Sequence, residues 1–181
     1  MNIPFLNRFL NIVETQDELS IETVSGTDVG LKRQRNEDNF FCLSTEESPA
    51  GLQAVMMVAD GMGGHADGDI ASQMAVETIK NSIAENGSWK ETDKHSLLGT
   101  LTDIVEDANT KIYQEGLTRK QSAQMGTTCT LGVIRGDSLY VAHIGDSRGY
   151  LLRDGVLDRV TNDHSVVEEE VRRGLLTPEQ A

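Results

Sequence analysis

Val58-Ala59-Asp60-Gly61-Met62-Gly63-Gly64-His65 sets an acid at the end of an apolar run and follows it with glycines. Residues 52–59 are almost unbroken in their apolar character, with Val55-Met56-Met57-Val58 at the centre, the pattern of a buried strand. The glycines after Asp60 read as a turn that neither a helix nor a strand tolerates. A carboxylate therefore stands at the end of a buried strand, where main chain can approach a ligand closely. Two ligands compete for it. Gly61-Met62-Gly63-Gly64-His65-Ala66 fits the loose dinucleotide pattern between a strand and a helix, which would seat a pyrophosphate near the helix N-terminus. Asp60 repels that anion, and the second strand that should end in a ribose-binding acid is replaced by a helical pattern. The other reading makes Asp60 a ligand for a hard divalent cation, with the Gly61 carbonyl free to join it.

Outward from this segment the periodicity is helical. Ala71, Met74, Ala75, Thr78, Ile79 and Ile83 fall on one face, Asn86-Gly87 stops the helix, and a polar linker follows. A second helix is predicted from Leu97, Leu101, Ile104, Val105, Ala108 and Ile112. From Thr127 the chain changes to short strands punctuated by Arg135-Gly136-Asp137, Gly145-Asp146-Ser147 and Asp154-Gly155, an antiparallel meander. Upstream, residues 20–31 and 38–44 are strand-like and joined by the basic stretch 32–35. A polar helix is expected over residues 165–173, stopped by Gly174. Thr177-Pro178-Glu179-Gln180 then has the chemistry of a helix start, so the expectation is a longer parent polypeptide.

Composition narrows the classes. The 181 residues suit one domain, and 38% hydrophobic content supports a core, which 4% aromatics makes aliphatic. Sixteen basic against 29 acidic residues leave a formal charge of −13, which repels nucleic acid and anionic membrane. That balance suits a protein that collects divalent cations, and equally a surface that is merely kept soluble. Cys42 and Cys129 sit apart among apolar and β-branched neighbours and read as buried free thiols. Residues 1–13 place Phe5, Phe9 and Val13 at helical spacing without the features of a signal peptide, and residues 1–20 read as an N-terminal extension with room for a short helix. No run approaches the ~18 apolar residues of a membrane span, so a cytoplasmic protein is expected.

Three further clusters carry candidate chemistry. Arg33-Gln34-Arg35-Asn36-Glu37-Asp38 combines arginine, whose planar fork suits a phosphate, with carboxylates that oppose phosphate unless they hold cations. Taken alone, the same run also reads as a solvated charged loop. Gly126-Thr127-Thr128 precedes Ala142-His143-Ile144-Gly145-Asp146-Ser147-Arg148, where Asp146 is either a turn-stabilising side chain or a metal ligand. His143 reads as a packed strand histidine. His164 stands before the predicted polar helix, which Asp163 or Ser165 would cap, and its default role is packing rather than catalysis.

Taken in order, these segments resemble the type 2C protein phosphatases, the PPM family, in its bacterial style. The matching stretches are Ser25-Gly26-Thr27-Asp28-Val29-Gly30 with Arg33 and Asn36-Glu37-Asp38; Val58 to His65 with Gly68 and Ala71-Ser72; Gly126-Thr127-Thr128; Ala142 to Arg148 with Tyr150 to Gly155; and Thr161 with Asp163-His164-Ser165. The resemblance spans about residues 22–181 and defines a phosphatase domain over 21–181. It implies an α+β fold, a β-sandwich of two antiparallel sheets flanked by helices on both outer faces. It also implies hydrolysis of phosphoserine and phosphothreonine in phosphoprotein substrates by a water bridging two Mn²⁺ or Mg²⁺ ions.

Residue by residue, the resemblance makes Asp60 the bridging ligand and the Gly61 carbonyl a ligand of one ion. Glu37 and Asp38 bind metal directly or through its waters, Arg33 grips the phosphate, and Asp146 matches a ligand of a third, weaker ion. Met62 stands where many eukaryotic relatives carry a histidine proposed as general acid, so no acid is assigned. The family's Ser-Asp-Gly and Asp-Asn motifs, which complete the metal pair, have no counterpart in residues 1–181. The 181-residue form is therefore expected to be weakly active or inactive, and the alternative is a non-catalytic binding module on the same fold. Oligomeric state is left open.

Overall fold

Strand alternation and two helical stripes account for the architecture of the computed structural model, which describes residues 20–62, 67–87, 89–119, 125–164 and Thr177. In chain order the elements are β1 (Asp38–Leu43), β2 (Ala54–Met62), α1 (Asp67–Glu85), α2 (Lys94–Thr118), β3 (Gly126–Thr127), β4 (Cys129–Arg135), β5 (Ser138–Ile144), β6 (Tyr150–Arg153) and β7 (Val156–Arg159). The main sheet runs β1-β2-β4-β5, all antiparallel, and β3 also pairs with β2. A second, two-stranded antiparallel sheet is the β6–β7 hairpin. This is the α+β arrangement of two antiparallel sheets with helices. Both described helices lie on one face of the main sheet, α1 against β1 and β2, and α2 against α1 and β5.

Period two in the strands decides what each face carries. Along β2, Val55, Met57 and Ala59 are buried while Val58, Asp60 and Met62 are exposed. Phe41, Leu131, Val133 and Tyr140 turn to the same side as Met57 and meet Ala71, Ala75, Ile79 and Ile83 of α1. Leu97, Leu101, Ile104, Val105, Ala108 and Ile112 of α2 complete this aliphatic core, as the periodicity predicts. Fully burying such a side chain contributes roughly 1.5–3 kcal/mol. Asp93 caps α2, accepting from the backbone N–H groups of His95 and Ser96 at 2.9 and 3.2 Å. The linker between the helices also supplies Trp89, buried in the core with its indole N–H donating to the Ile83 carbonyl at 2.9 Å. Its neighbours are polar, so periodicity gave no sign of it.

Two expectations are corrected. Residues 20–31 form no strand: among the described residues only Ile21 finds a backbone partner, exchanging bonds with Thr45, and Val24 is almost wholly exposed. A strand needs a neighbour to accept its hydrogen bonds, and here the chain turns instead, with the Asp28 carboxylate accepting from the Gly30 N–H at 2.7 Å. Second, Asp60-Gly61-Met62 is not a turn. β2 continues through Met62 because β3 pairs with it, Gly61 opposite Thr127 and Met62 opposite Gly126. Residues 1–19, 63–66 (with His65), 165–176 and 178–181 lie outside the described residues, and with them the expected N-terminal and polar helices.

Candidate metal centre

The first and second strands of the main sheet bring their acids together by register. Asp38 pairs with Asp60, so both carboxylates stand on the face that the helices do not cover. The Asp60 carboxyl is held above the ordinary carboxylate range, first by desolvation and then by the charge and hydrogen bonding of Asp38. Arg33 offsets this only in part, and the charge of Asp146 adds to it more weakly than that of Asp38. The two acids line a cleft of about 370 Å³ with Thr27, Asp28, Asn39 and Ser147.

Main-chain contacts fix this corner. The Glu37 carbonyl accepts from the Gly61 N–H at 3.1 Å and from the Ser72 hydroxyl at 2.5 Å. Asn39 donates from its side chain to Ser72 Oγ at 2.9 Å, and the Asp38 N–H donates to the Asn36 side chain at 3.1 Å. Gly61 and Gly68 meet backbone to backbone: a Cβ on Gly61 would stand 1.9 Å from the Gly68 carbonyl oxygen. A Cβ on Gly68 would stand 3.0 Å from the Gly61 carbonyl oxygen, a tight fit that a small shift relieves, so proximity demands glycine at 61 and favours it at 68.

The remaining candidates are placed differently. Glu37 turns to Arg33, with Nη1 3.2 Å from Oε2, and Arg33 is mostly exposed. These two line a separate shallow cleft with Gln34 and Arg35, beside rather than inside the Asp38–Asp60 cleft. Asp146 is exposed in the turn between β5 and β6, after Gly145 at φ +107°. That turn is anchored by the His164 N–H donating to the Gly145 carbonyl at 2.7 Å. Beside it, Arg148 grips the buried Asp163 at 2.6 Å. Arg148 thereby holds the Asp163 carboxyl below its ordinary range. Asp163 is thus an anchor for arginine. His143 is half-buried on the uncovered face, and its Nε2–H donates to the Asn162 carbonyl when Nδ1 accepts from Thr130. Both contacts fit the packing role expected of it.

The donor set fits hard divalent cations. It consists of oxygens alone, and two facing carboxylates repel until a cation stands between them. Among the described residues no group of three or more His, Cys, Asp and Glu side chains converges closely enough to hold a metal ion. The sequence reading also missed contributors to this corner: Ser72, held by Asn39, pins the Glu37 carbonyl, and Thr128, bonded in turn to Ser147, reaches the Asp60 N–H from the other side. Their motifs were visible, but hydroxyl-to-backbone bonds across the sheet leave no periodic signal.

Comparison with known proteins gives the family. The family profile "Protein phosphatase 2C" matches residues 26–172. The chain is 35% identical over 159 residues to the serine/threonine phosphatase stp of Listeria monocytogenes, covering 86% of this chain and 59% of that protein. It is 36% identical over 163 residues to the serine/threonine protein phosphatase PstP of Mycobacterium tuberculosis, covering 90% of this chain and 29% of that one. The crystal structure of the M. tuberculosis serine/threonine phosphatase PstP/Ppp superposes with a TM-score of 0.74 at 35% identity, covering 89% of this chain and 62% of that one. The PstP catalytic domain in complex with two manganese ions gives 0.66 at 35% identity, covering 83% and 59%. This chain thus spans less than two thirds of the length of these relatives. With the profile running through the paired acids, both helices and the β5–β6 turn, the chain belongs to the Protein phosphatase 2C family.

Proposed function

We propose that the whole protein hydrolyses phosphoserine and phosphothreonine in phosphoproteins, the substrates of a Ser/Thr kinase, using two Mn²⁺ or Mg²⁺ ions. The observation that carries this reading is the Asp38–Asp60 pair, two acids set face to face by strand register in a chain of this family. Asp60 would be shared by the two ions, Asp38 and the Gly61 carbonyl would each serve one, and Glu37 would act directly or through water. Asp146 would hold a third, weaker ion. When bound, such ions lower the pKa of water and neutralise the charge that develops on the phosphoryl group. Arg33 would bind the phosphate dianion, exchanging its contact with Glu37 for the substrate. The related PstP catalytic domain is in complex with two manganese ions, which supports the metal reading.

None of the described helices is long and apolar enough to cross a membrane, which is compatible with the cytoplasmic site we propose. The polypeptide of residues 1–181 assayed by itself should turn over weakly, because two facing carboxylates cannot saturate two cations. A non-catalytic binding module is the second reading, favoured by one observation: no third acid joins the pair among the described residues. The test is Mn²⁺-dependent hydrolysis of a phosphothreonine peptide by the whole protein, with Asp60→Asn beside it. Loss of more than about tenfold is expected from removing a shared metal ligand. A smaller loss would sink the mechanism, and no metal-dependent turnover by the whole protein would favour the binding module.

A further inference from the structure

The strand pairing around Asp60 departs from an ordinary ladder at one residue. The register that pairs Val58 with Thr130 in β4 also pairs Gly61 with Thr127 in β3, which leaves Thr128 opposite Asp60. The Thr128 N–H donates to the Asp60 carbonyl at 2.9 Å, as a ladder requires. The return bond is different: the Asp60 N–H donates to the Thr128 side-chain oxygen, at 2.9 Å. The Thr128 carbonyl instead accepts from the Thr127 hydroxyl at 3.0 Å. A hydroxyl has therefore replaced a main-chain carbonyl at the residue that carries the candidate bridging acid.

Thr128 is almost completely buried and faces a second element. Its Oγ1 lies 2.7 Å from Ser147 Oγ, and Ser147 lines the cleft with Asp38 and Asp60. Its methyl packs under the β5–β6 turn, where a Cβ on Gly145 would stand 2.5 Å from Thr128 Cγ2. One side chain thus touches the backbone of Asp60, the residue after Asp146 and the residue before it. A hydroxyl has one donor and two acceptor sites, enough to take the Asp60 N–H and bond Ser147 at once.

We infer that Thr128, seated by Ser147, is a positioning residue that fixes Asp60 relative to the Asp146 turn and so sets the cation affinity of the site. The inference rests on the proposed metal reading. Removing the hydroxyl leaves the Asp60 N–H without its acceptor and uncouples the two acid-bearing segments, while removing the methyl only loosens packing.

The test uses the whole protein and reads Mn²⁺ affinity directly by electron paramagnetic resonance, together with exchange of the Asp60 amide in metal-free protein. Thr128→Val, which keeps the shape, should weaken Mn²⁺ binding about tenfold or more and speed Asp60 amide exchange. Thr128→Ser should restore affinity to within about threefold of the parent, and Ser147→Ala should weaken it by about threefold or more. A folded Thr128→Val that binds Mn²⁺ as tightly as the parent and protects Asp60 equally overturns the inference. Should that variant fail to fold, unchanged affinity in Ser147→Ala overturns it just as well. Asp60→Asn separates the two levels: if it too leaves Mn²⁺ binding unchanged, the metal reading itself has failed, whereas loss there alone removes only the role of Thr128.

Discussion

The two faces of the main sheet obey the same alternation and yet serve opposite ends. On one, Val55, Met57, Leu131 and Val133 are closed over by α1 and α2 and essentially no water reaches them. On the other, Val58, Asp60 and Leu139 remain open among the described residues, and the candidate metal centre stands at their edge. The helical face is where the stability of the described fold resides. The open face carries the groups that oppose it, because two carboxylates paired by register cost free energy until something positive arrives.

The contrast is sharpest under truncation. Leu131→Ala should destabilise the protein by about 2–5 kcal/mol in urea unfolding, the range for a closed core, while Val58→Ala one strand away should cost less than about 1 kcal/mol. Equal losses would erase the distinction between the faces.

Asp60→Asn should do the reverse of a core truncation and raise the Tm of the metal-free protein at pH 7. Because folding raises the Asp60 pKa, its destabilising effect is absent below the unfolded value of about 3.9 and grows to its full size above the folded value. The gain should therefore shrink as pH falls, and a Tm series from pH 7 to pH 4 measures it.

Asp163 shows the opposite sign. Arg148 lowers its pKa, so its stabilisation is complete above about 3.9 and is lost as pH falls through the lower folded value. Asp163→Asn should flatten the acid limb of the Tm profile below about pH 4, and an unchanged limb would deny the arginine anchor its role. The smallest effect concerns Cys129, whose thiol burial pushes up to about 12. It should stay unlabelled by iodoacetamide at pH 8 in the folded protein and react once the chain is unfolded.

Patterns that repeat were legible from the sequence, and contacts that do not repeat were less so. The buried stripes of α1 and α2 follow from spacing alone, and the acid at the end of an apolar strand marked Asp60 as a ligand candidate before any geometry was known. That Asp38 faces it needed the antiparallel register, which a single sequence does not state. Residues 20–31 read as strand-like, yet among the described residues only Ile21 finds a backbone partner, and Trp89 is core without any periodic company. The hydroxyls of Ser72, Thr128 and Ser147 act on backbone atoms distant in the chain, so nothing local announces them.

The contact between Gly61 and Gly68 leaves a mark on what the chain can become. Neither residue brings a functional group, yet with 1.9 Å between a hypothetical methyl on Gly61 and the Gly68 carbonyl oxygen, no codon change at Gly61 that adds a side chain leaves strand and helix where they are. At Gly68 the 3.0 Å approach asks for a shift of only a few tenths of an ångström. Drift at the acids themselves passes through folded intermediates, since asparagine has nearly the shape of aspartate. Descendants of this sequence can therefore lose their chemistry and remain well-built proteins far more easily than they can lose Gly61.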